Sequence, residues 1–110
     1  MSLKDNLHWI LDADLREVPC RNLWAWAVWF EKNHKTRVVA QEYVGEHWIS
    51  TVFLGLDHNY AMEGPPLLYE TMVFYATGED DLVKRYATWT EAEKGHRQTV
   101  LQIGALDTST

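Results

Sequence analysis

The first long apolar run in the chain is "NLWAWAVWFEKN", whose apolar positions recur with the spacing of a helix. We expect Pro19 and Asn22 to open this helix, since an asparagine at this point can cap the free amides of a first helical turn. The pattern therefore predicts a helix, preceded by a short strand at "HWILD". The stripe expected to face the core consists of Leu23, Trp26, Ala27 and Phe30.

The next two apolar segments alternate between apolar and polar residues, as strands do. "TRVVAQEYV" and "HWISTVFLGLDH" are joined by Gly45-Glu46, and a two-residue connection beginning with glycine suits a tight antiparallel turn. The register predicted by this turn is Val44 with His47, Tyr43 with Trp48, and Val39 with Val52. After the loop "HNYAMEGPP", the segment "LLYETMVFYA" predicts a third strand and "VKRYA" a fourth.

The last element has the clearest start signal in the sequence. "TWTEAE" contains two overlapping capping boxes, Thr88 to Glu91 and Thr90 to Glu93. A helix is expected from here to about Ile103, with its apolar stripe on Trp89, Ala92, His96, Val100 and Ile103. The order of elements predicts an α+β fold, in which a three- to four-stranded antiparallel meander packs with two helices in a single domain over residues 1–110.

Charge and composition exclude several classes of function. The chain has 110 residues and a formal net charge of -6, so it lacks the basic face that binding to DNA or RNA requires. Its one cysteine, Cys20, excludes an internal disulfide. The N-terminal segment does not resemble a signal peptide, and no stretch approaches the length of a membrane span. We therefore expect a soluble cytoplasmic protein.

The predicted third strand carries a carboxylate where an apolar side chain is expected. Glu70 shares one side of this strand with Leu68, Met72 and Phe74. Because a buried carboxylate is costly without a partner, we expect one nearby. The two candidates are His96, inside the apolar stripe of the last helix, and Arg85 on the fourth strand.

These residues predict a polar cluster that could bind a ligand. Asp57-His58 at the end of the second strand and Trp89 at the start of the last helix complete it. The candidate ligand-binding residues are Asp57, His58, Glu70, Arg85, Trp89 and His96. An ion pair, a hydrogen-bonded core histidine and a loop cap are the structural alternatives. His58, Glu70 and His96 would suit zinc, but no local ligand spacing supports it, so we predict no metal, no cofactor and no assigned catalytic residue.

The first predicted helix has a wider apolar surface than one sheet can cover. The chain contains six tryptophans, and three of them fall in this helix. Trp24 and Val28 lie away from the core-facing stripe, and Trp29 lies on its other flank. An excess of exposed aromatic residues is typical of interfaces, so this patch predicts a homo-oligomer.

Four segments of the chain resemble a family of small proteins encoded by tailed phages and prophages. They are "LWAWAVWFE", "STVFLGLDHNY", "PPLLYETMVF" and "RYATWTEAEKGH", and the resemblance covers most of residues 18–97. It implies an accessory protein of phage origin. By analogy with small phage proteins that withhold immune signals from the host, it also implies a nucleotide-like ligand.

Three functions are therefore left open by the sequence. The first is binding of a small, nucleotide-like ligand between tryptophan rings and the polar cluster. The second is a protein–protein interaction module or an inhibitor of a host protein. The third is a hydrolase of a phosphodiester-type bond that uses His58 or His96 with Glu70 or Asp57, although no catalytic motif requires it.

Overall fold

The computed structural model describes residues 6–61 and 63–108, and it confirms the predicted α+β fold. A four-stranded antiparallel sheet with the strand order of a meander packs with two helices, and a small two-stranded hairpin adjoins them. The elements in chain order are β1 (Trp9–Leu11), β2 (Glu17–Pro19), α1 (Leu23–Lys32), β3 (Val38–Val44), β4 (His47–Phe53), β5 (Tyr69–Phe74), β6 (Asp80–Tyr86) and α2 (Trp89–Thr108).

Next to the turn that joins β3 and β4, the two strands pair in the predicted register. Val44 pairs with His47 and Tyr43 with Trp48, as expected from the glycine turn. The predicted pair between Val39 and Val52 is wrong, because β3 has a bulge at Val39 and Val38 takes its place opposite Val52. A bulge inserts one residue into a strand, and hydrophobic alternation alone does not reveal it.

The hairpin of β1 and β2 contains the predicted strand at "HWILD", but its second strand was not foreseen. Pro19 ends β2 instead of opening a helix. The turn between the two strands is built by Asp12, whose Oδ1 accepts hydrogen bonds from the backbone amides of Asp14 and Arg16, both at 2.9 Å. Aspartate commonly stabilises turns in this way.

Helix α1 is capped as predicted but packs differently. The Asn22 side chain accepts from the backbone amide of Ala25 at 2.9 Å. Leu23, which we expected in the core, is exposed, and Trp26 instead donates through Nε1 to the backbone carbonyls of Trp9 and Gly55. The Trp26 indole therefore joins the helix to the hairpin and to the chain just after β4.

Helix α2 covers one face of the four-stranded sheet and contacts all four of its strands. The Thr88 hydroxyl accepts from the amide of Glu91 at 3.2 Å, as the first capping box predicts, but the Glu91 carboxylate accepts from the amide of Ala87 at 3.4 Å and not from that of Thr88. The helix continues past Ile103 to Thr108. Gly95 lies directly against Tyr86 of β6, so close that a Cβ atom at this position would be 2.2 Å from the tyrosine ring and hydroxyl.

Candidate functional site

Glu70 lies on the sheet face that is turned away from α2. Its Oε1 is 3.4 Å from the Nε of Arg85, which is directly opposite on β6. The two side chains are 20% and 29% exposed, so the pair is partly solvated. Of the two partners expected for Glu70, the structure provides Arg85.

The predicted meeting of Glu70 and His96 is wrong. Side chains alternate between the two faces of a strand, and Thr71, next to Glu70, is on the face beneath α2. His96 projects from α2 onto that face, where it reaches Thr51. The sheet therefore separates the carboxylate from the imidazole.

A chain of hydrogen bonds crosses the sheet beneath α2. His96 is bonded through Nε2 to the carboxylate of Glu42 at 2.9 Å and through Nδ1 to the hydroxyl of Thr51 at 2.7 Å. The Thr51 hydroxyl is 2.6 Å from that of Thr71, and Thr71 accepts from the hydroxyl of Tyr86 at 3.1 Å. The chain thus runs from β3 through α2 and then across β4 and β5 to β6.

One arrangement of protons satisfies every hydroxyl in this chain. In this arrangement Tyr86 donates to Thr71, Thr71 donates to Thr51, and Thr51 donates to Nδ1 of His96, whose Nε2–H donates to Glu42. Buried polar groups are stable when each has a partner, and here each group of the chain has one.

The order of carboxylate, imidazole and hydroxyl resembles a hydrolytic triad, but the geometry does not support that chemistry. The nucleophile would have to be Thr51, whose side chain is 0% exposed. A nucleophile must reach the substrate, and here α2 and the sheet enclose the hydroxyl. The arrangement of Glu42, His96 and Thr51 is therefore best explained as a means of holding α2 on the sheet.

Asp57 and His58 serve the loop that follows β4. Asp57 is buried, and its Oδ1 accepts from the amides of Asn59 at 2.8 Å and Leu67 at 3.0 Å, so it ties the two ends of the loop together. The Nδ1 of His58 is 2.9 Å from the carbonyl oxygen of Leu56. These contacts match the loop-capping alternative for the pair.

Trp89 begins α2 and packs edge-on against Tyr69, with 6.1 Å between ring centroids. Its backbone amide donates to Glu17 of the hairpin at 3.3 Å, and the Tyr69 hydroxyl donates to the same carboxylate oxygen. Glu17 thus joins the hairpin to the start of α2. Sequence patterns did not indicate this role, since the contacting residues are far apart in the chain.

The six predicted ligand-binding residues are therefore distributed over several places. Glu70 and Arg85 lie on one sheet face and His96 beneath α2, while Asp57, His58 and Trp89 belong to the loop and the helix start. The groove beside His96 has a volume of about 220 Å³, below the roughly 300–1,000 Å³ of typical small-molecule pockets. Among the described residues, no group of three or more His, Cys, Asp and Glu side chains is placed to hold a metal ion.

The face of the sheet away from α2, which we call the open face, carries side chains from all four strands. They form three rows across the sheet. The first row is Tyr43, Trp48, Phe74 and Asp80; the second is Gln41, Ser50, Met72 and Leu82; the third is Val38, Val52, Glu70 and Arg85. No described helix or strand packs on these rows.

The open face is unusually apolar for a solvated surface. Tyr43, Phe74 and Leu82 are 69%, 41% and 45% exposed, and Trp48 and Met72 are half-buried between them. An antiparallel sheet with one solvated face normally has polar residues on that face. The sequence pattern of the third predicted strand already placed Glu70, Met72 and Phe74 on one side. Only the position of α2 shows that this side is the uncovered one.

The patch predicted on α1 is only partly available at the surface. Trp24 is 79% exposed and Val28 is half-buried. Trp29 packs edge-on against Phe53 of the core, with 5.9 Å between ring centroids. An interface on α1 would therefore be centred on Trp24 rather than on all three residues.

Comparisons with known proteins gave no match to a family model, to a curated protein or to a solved structure. The resemblance to phage proteins stays a prediction from the sequence segments. Within the part of the chain that the structure describes, no helix has both the length and the apolar character needed to span a membrane.

Tyr69 makes the stability of the fold depend on pH in the alkaline range. Burial, followed by the hydrogen bond to Glu17, raises the pKa of Tyr69 far above its ordinary value of 10. Above pH 10 this tyrosine ionises in the unfolded chain but not in the folded one, so stability present at lower pH is lost as the pH rises. We expect the free energy of unfolding to fall by about 1.4 kcal/mol per pH unit from this residue.

Urea unfolding between pH 9 and 11.5 measures this slope. Tyr69→Phe should show a shallower slope than the natural protein, whereas Tyr60→Phe, which changes an exposed ring, should keep the natural slope. Equal slopes for the two variants would contradict the prediction.

Proposed function

We propose that this protein works by binding another protein molecule, and that it binds through the open face of its sheet. The observation that carries the proposal is the exposure of Tyr43, Phe74 and Leu82 on one continuous surface. Exposed apolar surfaces that contain aromatic residues are typical of protein interaction sites. A partner with an apolar surface of low charge fits it best.

The edges of the sheet support binding through the face rather than by addition of a strand. β3 has its bulge at Val39, and β6 has a second bulge at Val83. Charged residues also line the edge strand β6, which begins with Asp80 and Asp81. Bulges and charges are the features by which natural sheets prevent pairing at their edges.

Site-specific photocrosslinking in cells that produce the protein tests this proposal. A photoreactive phenylalanine analogue replaces Phe74 on the open face or, as the control, Gln98 on the exposed side of α2. We expect a defined protein adduct from position 74 and none from position 98. The same adducts from both positions, or no adduct from position 74, would contradict the proposal.

A nucleotide-like ligand, in the cytoplasmic phage context that the sequence predicts, is the second candidate. The supporting observation is the ring pair of Tyr43 and Trp48 on the open face, with 4.7 Å between centroids, because such rings can stack on bases. Two observations weigh against it: Arg85 is already paired with Glu70, and the net charge of -6 repels phosphates. Titration of indole fluorescence with a nucleotide panel, compared with Trp48→Leu, tests this candidate.

A further inference from the structure

We infer that the partner of the open face is a second copy of this chain, packed face to face with the first about a two-fold axis. This inference rests on the proposed function, because it names the molecule that the same surface binds. It follows from the order of side chains within the three rows, which makes the face complementary to itself.

One two-fold axis brings apolar residues of β3 and β4 together. An axis that runs along the second row, across the strands, places the first row of one copy over the third row of the other. Tyr43 then lies over Val38, and Trp48 over Val52, so that large aromatic groups meet smaller aliphatic ones, while Phe74 lies over Glu70. Two sheets that pack face to face keep their strands within about 30° of each other, which this arrangement allows.

The charged residues of the same rows also match. β6 contributes Asp80 to the first row and Arg85 to the third. Under the same axis, Asp80 of each copy lies over Arg85 of the other, which gives two symmetric ion pairs at the rim. Arg85 also pairs with Glu70 within its own copy, so in the dimer each Arg85 would lie between two carboxylates.

The size of the face predicts a weak dimer. Four strands about 4.8 Å apart and three rows about 7 Å apart cover roughly 400 Å² per copy. That is about half of what each partner buries in an interface of standard size. An interface of this size is typical of weak association, so dimers are expected to form as the protein concentration is raised.

Sedimentation equilibrium of the purified protein between about 1 and 500 µM tests for the dimer. Phe74→Asp places a carboxylate in the first row of the open face, over Glu70 of the second copy, and should abolish self-association. Trp24→Asp, on the more exposed ring of α1, should leave the association unchanged. Loss of the dimer only in the α1 variant would overturn the inference.

A charge exchange tests the two-fold arrangement itself. Asp80→Arg and the double variant Glu70→Lys/Arg85→Glu each place like charges opposite each other in a homodimer, and each should weaken self-association roughly tenfold. The double variant keeps an ion pair within its own copy, so the fold is not expected to suffer. Mixing the two variants restores opposite charges at both contacts, and native mass spectrometry should detect the mixed dimer in preference to either homodimer.

The outcomes separate this inference from the proposed function. Suppose that the purified protein stays monomeric at 500 µM, while position 74 crosslinks to a different protein in cells. This result would overturn the inference that the partner is a second copy, but it would support the open face as a binding surface. A monomer without any crosslink from position 74 would overturn both. A dimer that survives Phe74→Asp, or variants whose mixture forms no mixed dimer, would show that another surface or another axis is used.

Discussion

Replacing Gly95 with alanine is expected to destabilise the fold by about 3 kcal/mol, a large part of the total stability of a domain this size. The new Cβ would lie 2.2 Å from the hydroxyl and ring of Tyr86, closer than any real contact, so α2 has to move away from β6. Alanine favours a helix over glycine by about 1 kcal/mol, which offsets only part of this cost. Chemical unfolding followed by circular dichroism measures the difference.

Gly104 in the same helix provides the matched control. A Cβ at Gly104 would come no closer than 3.8 Å to Val44, an ordinary contact. Gly104→Ala should therefore stabilise the protein slightly, by up to about 1 kcal/mol. In a Tyr86→Ala background, Gly95→Ala should lose its destabilising effect. If both alanine variants proved stabilising in the natural background, the close packing of α2 on Tyr86 would be disproved.

The substitution His96→Leu is expected to destabilise the fold by about 3 kcal/mol as well. Leucine is similar in size to histidine but cannot accept the hydrogen bond from Thr51, whose hydroxyl is buried beneath α2. The Thr51 hydroxyl then keeps only its bond to Thr71. Loss of a buried hydrogen bond costs about 1–3 kcal/mol, and the altered packing of α2 adds to this. Urea unfolding at neutral pH measures the loss.

The outer end of the same hydrogen-bond chain gives the control. Glu42 is half exposed, and a glutamine there can still accept from Nε2 of His96 through its amide oxygen. Glu42→Gln should therefore change the free energy of unfolding by less than about 1 kcal/mol. A larger loss for Glu42→Gln than for His96→Leu would mean that the charge of Glu42, and not the buried hydroxyl, holds the helix.

The sequence patterns were sufficient for the elements of the fold because each pattern depends on local chemistry. The capping box at Thr88, the asparagine cap at Asn22 and the glycine turn at Gly45 all lie within a few residues of the groups they satisfy. Of the hairpin, β1 was predicted, but β2 was missed because a strand of three residues is too short to show alternation. Its turn depends on Asp12, and the sequence alone does not distinguish an aspartate that builds a turn from any other exposed acidic residue.

The candidate site was harder to predict because it depends on which face of the sheet α2 covers. Glu70 and His96 were both correctly recognised as polar residues in apolar surroundings, but a one-residue step along a strand decides which face a side chain joins. The actual partners of His96, Glu42 and Thr51, are distant in the chain and have unremarkable local contexts. Only the arrangement in space identifies them, and it also identifies the uncovered apolar rows.

The bulges in β3 and β6 set a limit on how large an assembly of this protein can become. A sheet whose edge strands carry bulges is poorly suited to lengthen into a fibre by adding copies side by side. If the open face is buried in one two-fold interface, assembly ends at two molecules. At high concentration the protein should then form a single discrete species and remain clear in solution.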